Sequence, residues 1–214
     1  MNNVKMAEVK VNERFGRVAS KERLEWTVEA LVKNGIRAEV VGGGDEARER
    51  VWELLPAGAE VMNMNSRTLD TIGVAQELLE SGRYRAVRNE FKRLDERKEE
   101  LVRQRLGAAP EWAIGSVHAV TEDGQVMIAS NTGSQLSAYV YGALHVIWVV
   151  GGQKIVRNMD EGFKRLNEYS WPLENARAMQ AYGQGSNVSK VLIVNKEVRP
   201  DRIRLIVVQE KLGF

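Results

Sequence analysis

The sequence predicts an α/β fold: a single domain with a largely parallel sheet flanked by helices. Three observations carry that prediction. The first 64 residues read helix, strand, helix, strand, and a strand, crossover helix and strand make the unit of a parallel sheet. The 214 residues are enough for one buried core, or for one domain with a small helical attachment. Apolar residues make up 43% of the chain, which suits a globular protein, and no repeat, low-complexity stretch or linker divides it.

The elements follow in order. Phe15, Val18, Leu24, Val28, Leu31 and Val32 recur at helical spacing and predict a helix over 11–34, within an N-terminal helical segment 1–35. Asn34-Gly35 is its stop, because glycine takes the left-handed conformation cheaply. The α/β core then runs over 36–214. Ile36–Val41 is a strand, Gly42-Gly43-Gly44 breaks it, and Asp45 is placed to cap the next helix. Ala47, Val51, Leu54 and Leu55 give that helix its apolar face, and Pro56 ends it. Ala59–Met64 is the second strand, and Thr68–Leu79 a helix after it. Residues 82–108, highly charged with Phe91, Leu94, Leu101, Val102 and Leu106 on one side, read as a helical excursion closed by Pro110.

Trp112–Val120 and Val126–Ala129 read as strands joined through Glu122-Asp123-Gly124, a tight-turn signal. A helix through Leu136, Tyr139, Val140 and Leu144 precedes a buried strand from His145 to Val150. Helices at Asp160–Tyr169 and from Pro172 through Ala178 lead to terminal strands Val188–Val194 and Ile203–Val208.

Composition excludes several chemistries. With no cysteine, disulfides, zinc–thiolate sites, thiol nucleophiles and an iron–sulfur cluster held by this chain are ruled out. Two histidines, His118 and His145, are too few for a His-rich metal site, and both read as packed strand residues. A net charge of +2, from 31 basic and 29 acidic residues, gives no pull toward nucleic acid or an anionic membrane. No stretch approaches the roughly 20 apolar residues of a membrane span, and the N-terminus lacks a signal-peptide pattern. The cytoplasm is the expected compartment. No cofactor is called for. A homo-oligomer stays open, since no interface stripe stands out.

Four segments could carry chemistry. Asn65, Ser66 and Thr68 sit where a strand hands over to a helix, where open α/β sheets bind ligands and where an anion is favoured; Ser66 is equally suited to be a plain N-cap. Adjacent carboxylates at Glu122-Asp123 suit acid/base work, or simply a hairpin turn; Glu122 is the less expected residue, because the turn needs only Asp-Gly. Asn131-Thr132-Gly133-Ser134-Gln135 is a small-residue loop between strand and helix, either an anion cradle or a turn, and it lacks the Walker pattern. Lys154, after Gly151-Gly152-Gln153, could meet an anion as a point charge, or be a solvated lysine.

Taken together and in this order, LLPAGAEVMNMNSRTLDTIGV at 54–74, HAVTEDGQVMIASNTGSQLSAYVYGALHVIWVV at 118–150 and GGQKIVRNMDEGFKRLNEYSWPLENARAM at 151–179 resemble the lactate-utilisation (LUD) domain family. The resemblance runs from about residue 36 to the C-terminus. It implies a fold related to the sugar-phosphate isomerase and coenzyme A transferase group. It also implies a setting in bacterial oxidation of lactate to pyruvate, beside iron–sulfur oxidoreductase subunits as partners. Two departures bear on the site. Relatives often show Gly-Asn-Arg where Gly133-Ser134-Gln135 stand, so an anion-holding arginine is missing there. The Gly-x-Asn-Lys element becomes Gly151-Gly152-Gln153-Lys154, which keeps the lysine.

The expected function is therefore a small-anion-binding or accessory component of lactate or organic-acid utilisation, with 82–108 as a docking surface. An enzyme acting on a carboxylate, sugar phosphate or acyl-coenzyme A, with Glu122 as the candidate catalytic acid/base or nucleophile because the related transferase folds that the resemblance implies use a glutamate, and a structural protein with a vestigial site, are the alternatives.

Overall fold

A computed structural model describes residues 9–214; residues 1–8 of the expected N-terminal segment lie outside the described residues. The first half of the chain forms α1 (Lys21–Lys33), β1 (Arg37–Val41), α2 (Gly44–Leu54), β2 (Glu60–Asn63), α3 (Arg67–Thr71), α4 (Val74–Glu80), β3 (Arg85–Ala86), α5 (Val87–Phe91) and α6 (Glu100–Ala108). The second half forms β4 (Trp112–Gly115), β5 (Ala119–Thr121), β6 (Val126–Ser130), β7 (His145–Gly151), β8 (Ile155–Val156), α7 (Met159–Arg165), α8 (Trp171–Tyr182), β9 (Lys190–Val194) and β10 (Ile203–Val208).

Six strands make a parallel sheet in the order β1-β10-β7-β4-β2-β3, and four make a second sheet, β8-β5-β6-β9. All pairings in the first sheet are parallel. In the second, β5 and β8 are parallel, whereas β6 runs antiparallel to both β5 and β9. The chain is thus a single α/β domain whose main sheet is flanked by helices.

Period-two alternation along the central strands sets the layers. Val146, Trp148 and Val150 of β7, with Ile203, Leu205 and Val207 of β10, face a core shared with Leu24 and Leu31 of α1 and with Val120, Val126 and Ile128 of the second sheet. Ile147, Val149, Ile206 and Val208 face the opposite core, against Ala47 and Val51 of α2, Leu69 of α3 and Leu78 of α4. On its far side the second sheet presents Ala119, Met127 and Ala129 to Leu166 and Tyr169. β7 and β10 lie between two apolar layers and carry residues that are buried on both faces, which is why their sequences read as nearly unbroken apolar runs.

Several predicted boundaries move, each for a local reason. The helix expected over 11–34 begins only at Lys21, where the Ser20 hydroxyl caps the Arg23 N–H; Phe15 is buried from a separate 3-10 turn, Glu13–Gly16. Gly43, not Asp45, occupies the cap position of α2, and Asp45 lies in its first turn. The helix expected over 68–79 is two, divided at Gly73, whose φ of 75° is left-handed. The excursion at 82–108 is not wholly helical: it supplies the edge strand β3, and Phe91 and Leu106 pack on the main core. Trp112–Val120 is not one strand either, because β4 and β5 belong to different sheets. Two further helices end up different in form. Ala138–Gly142 is a single π-helical turn, and the helix expected over 160–169 is α7 followed by a wider, π-helical turn, Leu166–Ser170. The hairpin at 119–130 does form, with Gly124 at φ 81° in its turn.

Candidate functional site

The carboxyl ends of β7, β4, β2 and β3, four neighbouring strands, open onto one cavity of about 350 Å³ between the two sheets. This is where an open α/β sheet places its ligand. The segment after β2 contributes Asn65, Ser66, Arg67 and Thr68, and the segment after β4 contributes Ser116 and His118. Arg88 enters from the first turn of α5, directly after β3, and Lys154 from the 3-10 turn after β7. The second sheet supplies Ser130, and the loop after β6 supplies Asn131, Thr132, Ser134 and Gln135.

Lys154 forms the floor. Its side chain is buried, with only 2% of the residue exposed, so it is not a solvated surface lysine. Nζ donates to Thr68 Oγ1 at 3.1 Å and to Ser116 Oγ at 3.0 Å. Both hydroxyls spend their own protons on backbone carbonyls: Thr68 on Leu212 at 3.1 Å and Ser116 on Val149 at 2.6 Å. Their oxygens are thereby turned toward the lysine as acceptors. Among the described residues Lys154 forms no ion pair. Burial, and secondarily the nearby Arg165 cation, hold its ammonium well below the usual lysine value. Arg165 is itself buried, donating to the Gln153 carbonyl at 3.2 Å, to Ser170 Oγ at 2.7 Å and to the His118 carbonyl; burial lowers it to about 10.

His118 is not merely packed. Its Nδ1 accepts the Ala129 N–H at 3.1 Å, which leaves the proton on Nε2. Burial, with Lys154 and Arg165 nearby, drives its pKa down to about 3, so it is a neutral donor in the cavity wall. His145 matches the packed reading, stacked on Trp112 with ring centroids 4.2 Å apart.

Arg88 brings a cation to the cavity. Its Nε donates to the Asn63 carbonyl at 2.6 Å, and no carboxylate pairs with it among the described residues. Burial lowers its pKa from the ordinary arginine value. The other cavity arginines are tied to acids: Arg177 to Glu174 at 2.7 Å and Arg67 to Asp70 at 3.5 Å. Arg88 is therefore the cavity arginine without an ion pair among the described residues, and it stands across from the buried amino group of Lys154.

The predicted residues fare unevenly. Asn65, Ser66, Thr68, Asn131, Thr132, Ser134 and Lys154 come together at this cavity. Ser66 also caps α3 through the Leu69 N–H at 3.3 Å, so both of its suggested roles coexist. Gly133 shapes the loop without lining the cavity: it takes φ 92° and donates its N–H to Ser130 Oγ at 2.8 Å. Glu122 is not brought to the site. It lies in the hairpin turn, and its carboxylate pairs with Arg23 of α1 at 2.6 Å. Arg88, His118 and Ser116 are additions the linear sequence did not single out. Ser116 follows a strand end, as Ser66 does, but the continuously strand-like run from Trp112 to Val120 hid that end. Arg88 comes from the stretch read as a docking surface. It brings a guanidinium to the cavity from a segment distant from Gly133.

A family model for the LUD domain matches residues 24–208. The chain belongs to the LUD domain family. The crystal structure of a DUF162 family protein from Deinococcus radiodurans is similar in fold, with a TM-score of 0.53 at 14% identity, over 90% of this chain and 99% of that one. A search of curated proteins found no match. Among the described residues no helix is long and apolar enough to cross a membrane, and no cluster of three or more His, Cys, Asp or Glu is placed to hold a metal ion.

Proposed function

We propose that the cavity binds a small organic anion, a carboxylate or a phosphate, and that this LUD domain protein serves lactate or related organic-acid utilisation as an anion-binding component beside iron–sulfur oxidoreductase partners. One observation carries the reading: Arg88, a partly desolvated cation with no carboxylate partner among the described residues, and the buried amino group of Lys154 face the same hydroxyl-lined cavity. Desolvated charge without a counter-charge is costly, and an anionic ligand supplies what is missing. The planar fork of Arg88 suits a carboxylate or phosphate. Ser66, Thr132, Ser134 and Gln135 add neutral donors for the ligand's other oxygens. A polar, cation-bearing cavity counts against a vestigial site. Family membership supports the metabolic setting.

The test is thermal stability of the purified protein against lactate, pyruvate, sugar phosphates, nucleotides and coenzyme A esters. A ligand at a hundredfold excess over its Kd adds about 2.7 kcal/mol, a rise of roughly 5–10 °C for a chain of this size. A rise with an anion that is lost in Arg88→Met supports the proposal. No rise with any compound removes it.

A further inference from the structure

The arrangement around Lys154 does more than hold a charge. Resting on the anion site proposed above, we propose that Lys154 is a nucleophile that forms an imine with the carbonyl group of a small anionic carbonyl compound, a 2-oxo acid or a ketose phosphate.

The hydrogen-bond directions carry this inference. A neutral lysine amine has two N–H groups and one lone pair. Here two N–H groups are accepted by Thr68 Oγ1 and Ser116 Oγ. Neither hydroxyl can turn its proton onto the nitrogen, because each is committed to a backbone carbonyl, Leu212 or Val149. The fourth direction on Nζ, that of the lone pair, has no protein partner among the described residues, and Lys154 lines the cavity. A lysine that served only as a counter-charge would be expected to sit beside a carboxylate or reach into solvent; this one does neither. Burial and the Arg165 cation both favour the uncharged, nucleophilic amine. Arg88 would hold the ligand's carboxylate or phosphate, and the Nε2–H of neutral His118 is a donor for the carbonyl oxygen.

The step balances without any further reactant. The Nζ lone pair forms a C–N bond as the carbonyl π pair moves onto oxygen. A proton passes from the now cationic nitrogen to that oxygen, giving a neutral carbinolamine. The nitrogen lone pair then forms C=N as the hydroxyl leaves, and with the remaining N–H proton it departs as water. One amine and one carbonyl become one imine and one water, with no change in oxidation state. A hydrogen-bond donor on the carbonyl oxygen polarises it and steadies the charge that builds there.

The test incubates the full chain with pyruvate or with dihydroxyacetone phosphate, each with cyanoborohydride, followed by intact-mass measurement and peptide mapping. The expected result is a single addition equal to the carbonyl compound less one oxygen atom, mapped to Lys154 in the wild-type protein. Which probe reacts distinguishes a carboxylate from a phosphate ligand. Lys154→Arg, checked for folding by circular dichroism, is expected to lose the adduct. The residue assignment in the wild type does not depend on that variant. Lactate, which has no carbonyl, separates the two proposals: if lactate or another anion stabilises the protein while neither probe gives an adduct at Lys154, the anion site stands and the imine is overturned. Adducts confined to other lysines also overturn it.

Discussion

Replacing Arg88 by methionine isolates the contribution of the guanidinium to ligand binding. Among the described residues, only Nε of Arg88 is engaged by the protein, on the Asn63 carbonyl at 2.6 Å. The two terminal nitrogens are left for the ligand. A hydrogen bond to a charged group contributes about 1.5–3 kcal/mol, so a two-point contact contributes about 3 kcal/mol at its lower end. That corresponds to a rise in Kd of roughly 100-fold. The fold should lose less. One hydrogen bond from a charged group to a carbonyl disappears, worth about 1.5–3 kcal/mol, and relief of the half-buried cation offsets part of it. The melting temperature without ligand should fall by no more than about 12 °C at this chain length. Arg88→Lys keeps a charge but not the fork, and should recover only part of the affinity. Isothermal titration of the stabilising anion into the three proteins makes the comparison. A Kd for Arg88→Met within about 3-fold of wild type would refute the reasoning, because the anion would then be held elsewhere.

Further tests probe the fold, the buried lysine and the hairpin. Glu161 accepts from the Arg157 N–H at 3.0 Å and from Arg157 Nε at 2.8 Å, and also pairs with Arg14; the Arg157 side-chain bond chiefly holds its pKa down, from 4.5 to about 2. At about 1.4 kcal/mol per pH unit the ceiling is about 3 kcal/mol, and since Arg14 and Arg157 are 55% and 65% exposed, screening leaves about 1–2 kcal/mol. That stability is present above pH 4.5 and lost as pH falls toward 2; urea unfolding should show Glu161→Gln weaker at pH 7 and equal to wild type at the acid end. Arg202 is buried, donating to the carbonyls of Ala143, Ala138 and Tyr139 and pairing with Glu197 at 2.8 Å. Arg202→Met should cost about 3–5 kcal/mol and lower the melting temperature by roughly 6–20 °C; calorimetry showing little change would refute that. Because the Lys154 pKa is lowered on folding, its burial weakens the protein below its folded pKa, and the penalty fades as pH climbs to the unfolded lysine value. The stability difference between Lys154→Met and wild type should therefore shift in favour of wild type as pH is raised, which denaturation across alkaline pH measures. Glu122→Gln should leave the ligand-induced thermal shift unchanged, since Glu122 pairs with Arg23 away from the cavity.

Much of this architecture was legible because single segments state it. The apolar run of β7, the Asp123-Gly124 turn and the small polar residues after β2 and β6 each carry a local physical signal, and each lies where that signal placed it. What stayed hidden depends on packing between segments. Nothing local tells that Val117 and His118 carry the chain from one sheet to another, since the run from Trp112 to Val120 is continuously strand-like. Phe15 and Val18 keep helical spacing with α1 although Ser20 starts the helix. At the site, Lys154 was visible as a strand-end lysine, but its burial is created by Thr68 and Ser116, 86 and 38 residues away. Arg88 sits in a charge-rich stretch where one arginine looks like the next, until the two-residue strand β3 sets it beside the end of β2.

The place of β10 in the main sheet bears on how the protein is made. Residues 203–208 pair with β1 on one side and β7 on the other. As the chain leaves the ribosome, β1 is available early and has no neighbour in this sheet until β10 emerges, more than 160 positions later. The sheet cannot close progressively from the N-terminus. The strand that joins β1 to the rest of the sheet arrives after the other five, and the non-local pairings that finish it are of the kind that form slowly. The β1 edge and the apolar flank of β7 stay open through synthesis, so this is a protein whose yield in the cell should depend on chaperone supply rather than on its final stability.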